Sequence, residues 1–241
     1  MIRKIKGRFR QFVKRFIKSE IQFVNVANSF SQAGEDKVLE FFFDSMKIEK
    51  ISYLDLGTNH PTKSSNTYLF YQKGGRGVCV EADPTLIGEI ERVRPQDKCL
   101  NIGVTFDEKR EADFYVFQAN GLSTLSKEEA EFRENSSSMK VEKIIKIPLR
   151  NINEIISTNF DKAPDLLSID VEGIDLEILQ ALDYSKYRPL AICVETINYS
   201  DKRVKSKINE IAEFLDSKGY FVYADTYINS IFVDTNRFLN D

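Results

Sequence analysis

Several short stretches of this chain place an acid or a glycine directly after an apolar run. Asp55-Leu56-Gly57-Thr58-Asn59-His60-Pro61 ends the run that begins at Ile51, and Glu81-Ala82-Asp83 follows Gly77-Val78-Cys79-Val80. Asn101 and Gly103 come after Cys99-Leu100, Asp170-Val171-Glu172-Gly173 after Leu166–Ile169, and Glu195 ends the run from Leu190. Gly57 permits a tight turn and lets a ligand approach the backbone. Glu81 lies 26 residues beyond Asp55, and an acid at the tip of a neighbouring strand can take both hydroxyls of a ribose. The chain has no GxGxxG turn of the kind a pyrophosphate needs at a helix N-terminus, and acids at this rim would repel phosphate. A positively charged nucleoside without phosphates suits the rim better. S-adenosylmethionine, with its sulfonium, is such a ligand.

Acids at such a rim could also serve as a general base, which a poor nucleophile such as an unactivated hydroxyl needs. Asp170 and Glu172 are candidates. So is His60, the single histidine, whose other reading is a polar side chain that has simply found a partner. Asp170, Glu172 and Glu195 also have the oxygen chemistry to hold a hard cation such as Mg²⁺. Carboxylates without histidine suit plain acid–base work equally, so a divalent metal is not expected and no metal ligand is assigned. The cofactor-binding candidates are Gln32, Asp55, Gly57, Asn59, Glu81, Ala82, Asp83, Asn101 and Gly103. Some have a second, structural reading. Asp83 is placed to N-cap a helix that begins at Pro84. Asn101 and Gly103 either border an adenine or make a turn. Gln32 and Asp36 either reach the amino-acid end of the cofactor or cap a helix that starts near Gly34.

The elements that must position these residues alternate. Helices are expected over Gly34–Met46, Thr67–Gln72, from Pro84 onward, Asp175–Leu182, and along Val204, Ile208, Ile211, Ala212 and Leu215 up to Gly219. Strands are expected at Ile51–Leu56, Gly77–Glu81, Cys99–Val104, Leu166–Asp170, Leu190–Glu195, Tyr220–Ala224 and Ile228–Val233. Residues 105–150 interrupt the rhythm with extra strands at Ala112–Phe117 and Ile144–Leu149, and with a capping-box pattern at Ser126 and Glu129. Strands separated by helices imply βαβ units and a mostly parallel sheet covered on both faces. The last two strands are joined too closely to be parallel. In such sheets the ligand lies beyond the carboxyl ends of the strands, where these acids converge.

Ser31-Gln32-Ala33-Gly34-Glu35-Asp36, Asp55-Leu56-Gly57-Thr58-Asn59-His60-Pro61, Ser65-Asn66-Thr67, Gly77-Val78-Cys79-Val80-Glu81-Ala82-Asp83-Pro84, Arg94-Pro95 and Ser168-Ile169-Asp170-Val171-Glu172-Gly173 occur in this order. Together, over roughly residues 30–196, they resemble the FkbM family of S-adenosylmethionine-dependent methyltransferases. The resemblance implies a class I methyltransferase fold: an α/β, Rossmann-like, mostly parallel seven-stranded sheet with helices on both faces and an antiparallel last strand. It also implies O-methylation, of a sugar, glycan or other small-molecule hydroxyl. Thr58 stands where small residues such as Ala are usual in the family. A nicotinamide-dependent oxidoreductase on a similar sheet is the alternative enzyme, and the missing glycine-rich turn counts against it. A methyltransferase-like domain that only binds a partner is the non-enzymatic alternative.

The chain has 241 residues, 42% hydrophobic and 29% charged, enough for a single α/β domain and incompatible with a disordered or collagenous chain. Its three cysteines form no CxxC and sit in apolar runs, which points to buried thiols in a reducing, cytoplasmic setting. Charge is uneven. Eight of the 34 basic residues fall within residues 1–18, which hold no acid; the other 26 face 37 acids, a net of −11. The acidic body argues against nucleic acid as a partner. Within the tail, Ile2, Ile5, Phe9, Phe12, Val13, Phe16 and Ile17 recur at helical spacing opposite the cations. The expected organisation is a basic amphipathic extension over 1–28 followed by a methyltransferase domain over 29–241. Residues 1–18 are read as a helix for an anionic membrane surface, at the inner face of the membrane, or for packing on the body or a partner.

Overall fold

The computed structural model is described for residues 29–117, 123–136, 140–171, 173–198, 206–207 and 209–240. The amphipathic segment 1–28 and Glu172 lie outside these residues, as does Val204. In chain order the described elements are α1 (Glu35–Ser45), β1 (Ser52–Leu56), α2 (Tyr68–Gln72), β2 (Arg76–Val80), α3 (Pro84–Val93) and β3 (Lys98–Leu100). An insert follows: β4 (Gly103–Thr105), β5 (Glu111–Phe117), α4 (Lys127–Ser136) and β6 (Val141–Asn151). The alternation then resumes with α5 (Ile152–Asn159), β7 (Leu166–Ile169), α6 (Asp175–Ala181) and β8 (Ala191–Glu195). A short pair, β9 (Ile197–Asn198) and β10 (Ser206–Lys207), leads to α7 (Asn209–Ser217), β11 (Tyr220–Asp225), β12 (Asn229–Asp234) and α8 (Thr235–Asn240).

The main sheet has seven strands in the order β11-β12-β8-β7-β1-β2-β3. Strands β1, β2, β3, β7 and β8 are parallel, and β12 runs antiparallel to both β8 and β11. This is the expected sheet with its antiparallel last strand. The chain builds outward from β1 to β3, then crosses back to place β7 on the other side of β1. That reversal opens a crevice at the strand ends between β1 and β7. Register sharpens it: Leu56 pairs with Val80 and with Ile169, and Ile169 with Val194. Gly57, Glu81, Asp170 and Glu195 therefore follow at one level along the sheet edge.

Side chains alternate between the two faces of the sheet. Leu54, Leu56, Val78, Val80, Leu167, Ile169, Ile192 and Val194 pack against Ile152, Ile155 and Ile156 of α5, Ile178 and Leu179 of α6, and Ile211 and Leu215 of α7. On the other face Tyr53, Leu166, Ala191, Cys193, Ile231 and Val233 pack against Leu39, Phe42 and Phe43 of α1 and Phe70 of α2. Each fully buried aliphatic side chain here stabilises the fold by about 1.5–3 kcal/mol. Cys79 and Cys193 are buried and Cys99 is half-buried, all as free thiols.

The structure departs from the sequence reading in three places. The strand expected over Cys99–Val104 is split: Lys98–Leu100 pairs with β2, whereas Gly103–Thr105 pairs with β6 in a separate three-stranded sheet, β4-β6-β5. Asn101 causes the break, since its amide donates to the carbonyls of Glu81 and Ala82 at 2.9 and 3.1 Å and turns the chain away from β2. Helix α5 was not expected; its signal is the N-cap Asn151, which accepts from Asn153 N at 3.0 Å, followed by buried Ile152, Ile155 and Ile156. The helix expected from Val204 begins at Asn209, after the short strand β10.

Candidate functional site

A cavity of about 690 Å³, measured out to its open mouth, lies at the carboxyl ends of β1, β2 and β7. Val80, Leu86, Ile102 and Val104 form an apolar wall; Asn59, Glu81, Asp83 and Asp170 supply the polar one, and no lysine or arginine lines it among the described residues.

Gly57 is where the main chain turns into the cavity. Its φ is +79°, and a Cβ there would come within 1.9 Å of the Asp170 carbonyl oxygen. Only glycine fits this packing of two strand ends. The turn is held by Gly57 N and Thr58 N donating to Val80 O at 3.0 and 3.1 Å, and by Asp170 N donating to Leu56 O at 3.0 Å. Asp170 itself is exposed and lines the cavity at this end.

Glu81 is buried on the cavity wall and both its carboxylate oxygens are anchored. Asn59 N donates to Oε2 at 2.7 Å and Asp83 N to Oε1 at 2.8 Å. Asn59 reaches it by adopting a left-handed conformation, φ +52°, which asparagine tolerates better than most residues. Each oxygen keeps further acceptor capacity. Burial, the main influence, pushes Glu81 above the ordinary carboxylate range, against the pull of the two N–H bonds. Asp83 performs the capping expected of it, taking Thr85 N at 2.9 Å and Thr85 Oγ1 at 2.7 Å on Oδ1, and it also lines the cavity. Ala82 and Gly103 line it too, whereas Asn101 faces solvent and ties the ends of β2 and β3 together from outside.

Asp55 is not among the residues lining the cavity. Its Oδ2 accepts from Thr67 Oγ1 at 2.6 Å and from Arg94 Nη1 at 3.4 Å, behind the turn. Arg94 is fully buried, and its Nε donates to Asp97 at 2.8 Å. Asp97 in turn accepts from Tyr53 OH at 2.7 Å and Gly77 N at 2.9 Å. The Arg94 guanidinium lies 5.3 Å from the centroid of the Tyr53 ring. Burial raises the Asp55 carboxyl, opposed by Arg94 and Thr67. Arg94-Pro95 is thus the fastening of the first strand–loop unit, a role that spacing alone did not disclose.

Two more candidates sit apart from the cavity lining. Gln32 is exposed, and the adjoining acids secure the start of α1. Asp36 accepts from the hydroxyls of Ser29 and Ser31 at 2.6 and 2.9 Å and from Phe30 N at 2.7 Å. Glu35 accepts from Thr226 Oγ1 at 2.6 Å and Asn229 Nδ2 at 3.0 Å. His60 Nδ1 accepts backbone N–H bonds from Thr62 and Lys63, both at 3.1 Å. In the neutral ring this places the proton on Nε2. Among the described residues no group of three His, Cys, Asp or Glu is placed to hold a metal ion. Residues 105–150, which break the βαβ rhythm, were expected to shape the acceptor pocket; the residues of this insert that line the cavity are Phe114, Ser123, Thr124 and Leu125, none of them singled out from the sequence.

This strand order, with an antiparallel strand between β8 and β11 and a cavity at the switch point, is that of a class I methyltransferase. The chain belongs to the methyltransferase FkbM domain family, whose profile matches residues 55–222. Similar solved structures include a TehB-like SAM-dependent methyltransferase from Corynebacterium glutamicum, 10% identical over 95% of this chain and 99% of that one, with a TM-score of 0.42. A putative caffeoyl-CoA O-methyltransferase from Staphylococcus aureus is 10% identical over 95% and 99%, with a TM-score of 0.45. Magnesium protoporphyrin IX methyltransferase from Synechocystis PCC 6803, with bound SAM, is 8% identical over 82% and 76%, with a TM-score of 0.43. No curated protein matches the chain.

Proposed function

We propose that the protein transfers the methyl group of S-adenosylmethionine to a hydroxyl oxygen of a sugar, glycan or similar small molecule. The observation that carries this reading is Glu81: a buried carboxylate on the wall of the cavity at the strand ends, held by two backbone N–H groups yet with acceptor capacity left for a diol. The acidic lining, free of lysine and arginine among the described residues, supports a sulfonium nucleoside over a dinucleotide, whose pyrophosphate it would repel. The hydroxyl acceptor and its sugar class rest on the family resemblance.

S-adenosylmethionine supplies an electrophilic methyl group when bound. Glu81 fixes the ribose, and the Gly57 turn lets the backbone come close to the ligand. Asp170, exposed at the sheet edge beside that turn, takes the proton from the acceptor hydroxyl. His60 is less suited to that task, because its Nδ1 is committed to two N–H groups and its Nε2 carries the proton. Holding acceptor and donor in line supplies most of the remaining catalysis. Calorimetric titration with S-adenosylhomocysteine is the first test. The second is the gain of a methyl group by candidate glycans, lost in Asp170→Asn while S-adenosylhomocysteine still binds. Failure to bind S-adenosylhomocysteine would reject the reading.

The basic, apolar-striped segment 1–18 supports work at an anionic membrane surface on the cytoplasmic side. Among the described residues no helix is long and apolar enough to cross a membrane. Sedimentation with anionic but not neutral vesicles, abolished by deleting 1–18, is the expected result.

A further inference from the structure

Cys79 and Cys99 stand side by side on two neighbouring strands. They are register partners in the parallel pair β2–β3, so both side chains leave the sheet on the same face. Neighbouring strands lie roughly 4.8 Å apart, inside the roughly 4.4–6.8 Å that the Cα atoms of a disulfide span. Both are free thiols, Cys79 buried and Cys99 half-buried. Cys79 Sγ is hydrogen-bonded to Asp97 Oδ2 at 3.7 Å and to the Cys99 side chain. Neither thiol is among the residues lining the cavity. The third cysteine has no such neighbour: Cys193 on β8 is fully buried, and its register partners are Ser168 and Ile231.

The two thiols differ as an attacking and a resolving sulfur should. The hydrogen bond with Cys79 holds the Cys99 thiol below its ordinary range, against partial burial and the charges of Glu91 and Asp97, with Arg94 assisting. The bond with Cys99 and burial push Cys79 well up, so it keeps its proton. A solvent-reachable thiol with thiolate character, beside a second thiol, is the kind that peroxide oxidises first. We propose that Cys79 and Cys99 form a redox site that reduces a hydroperoxide and closes into a disulfide locking β3 to β2. The Cys99 thiolate attacks one peroxide oxygen; the O–O bond breaks and the other oxygen leaves, taking up a proton to become water or an alcohol. The Cys79 sulfur then attacks the Cys99 sulfenic acid. The S–S bond forms, the S–O bond breaks, and the oxygen departs as water with the Cys79 proton. Two electrons pass from the thiols to the peroxide. The link ties β3, a three-residue strand at the sheet edge, to β2 just ahead of Glu81.

The experiment treats the full chain with hydrogen peroxide, without denaturant, and maps its peptides under non-reducing conditions. Wild type should lose the mass of two hydrogens, join the Cys79 and Cys99 peptides and leave Cys193 free, with full reversal by dithiothreitol. Its melting temperature should rise by about 5–10 °C, the shift expected of a disulfide in a chain of this size. Before oxidation, iodoacetamide should label Cys99 about tenfold or more faster than Cys193. Cys193→Ser should behave as wild type. Cys79→Ser, which keeps a donor for Asp97, should stop at a Cys99 sulfenic acid that dimedone traps. A map with no Cys79–Cys99 link, or with one that forms only after urea unfolding, overturns the proposal. So does a link through Cys193, or labelling of Cys99 no faster than of Cys193. A linked protein that melts no higher overturns the locking of β3. Should a variant fail to fold, the wild-type map and labelling rates decide alone.

Discussion

Asp55 and Glu81 end adjacent parallel strands and look alike in the sequence, each an acid just beyond an apolar run. Their surroundings differ. Glu81 is held by main-chain N–H groups alone and opens on the cavity. Asp55 is turned the other way, into a closed set of Thr67, Arg94, Asp97 and Tyr53. Both are raised by burial, so perturbation does not separate the acid on the cavity from the fastening one. What separates them is the partner. A carboxylate satisfied by backbone donors can still serve a ligand, whereas one locked to a buried guanidinium holds two parts of the chain together.

The sharpest way to break the contrast is at Arg94. It is fully buried between two carboxylates, and Arg94→Met leaves both without their cation. Removing one partner of a buried ion pair costs about 3–5 kcal/mol. The variant should melt far below wild type or fail to fold, as read by thermal or urea unfolding. A melting curve like that of wild type would show that the Asp55 side is not the fastening described here. At Glu81 the outcome should be the reverse. Glu81→Ala should retain its melting temperature within a few degrees and weaken S-adenosylhomocysteine binding by ~1.5–3 kcal/mol, the scale of a hydrogen bond to a charged group. Calorimetry on the folded variant decides it. Asp55→Asn stands between the two. It keeps an acceptor for Thr67 and Arg94 but removes one charge, so about 1–2 kcal/mol of stability should be lost, with cofactor affinity changed less than by Glu81→Gln. Equal losses of affinity in both would return Asp55 to the cofactor set.

The sequence made much of this legible, for physical reasons. Apolar runs of strand length ending in acids located β1, β2, β7 and β8. Asp83-Pro84 announced its own cap, and the closeness of the last two strands required them to be antiparallel. The Asp55 orientation was hidden because its partner Arg94 lies 39 residues away, and period-two alternation does not say which acid meets a cation. Which residues of the insert reach the cavity was hidden for a related reason. Its cavity residues come from a second sheet whose approach depends on Gly103 and Leu125, a contact that spacing does not encode. Cys99–Val104 read as one strand because Cys99, Leu100, Ile102 and Val104 outweigh Asn101 and Gly103, which suit strands poorly. The break came from the Asn101 amide, which bonds two carbonyls across the β2 end.

The smallest effect expected, and the one that bears most directly on Glu81, is a pH dependence with opposite signs for binding and folding. Burial raises Glu81 above the ordinary value of 4.5. Its ionised form is the one with acceptors for a ribose diol, so affinity for S-adenosylhomocysteine should be flat near neutrality. It should fall as pH drops through a midpoint above 4.5. Folding without ligand responds the other way. In the window between the ordinary and the raised value the native state binds more protons than the unfolded state, so stability from this group is greater on the acidic side and is lost as pH rises. Glu35 provides the internal contrast: burial raises it, but Thr226, Asn229 and the Ala33 N–H outweigh burial and leave it below the ordinary range. Its contribution to stability is present above the ordinary value and is lost on acidification. Wild type compared with Glu81→Gln isolates the first effect, because the variant cannot ionise at that position. The difference in melting temperature between the two should favour wild type progressively as pH falls through the window, while their difference in ligand affinity narrows. If the two profiles run parallel across that window, Glu81 is not titrating there and the binding role assigned to its ionised form loses its support.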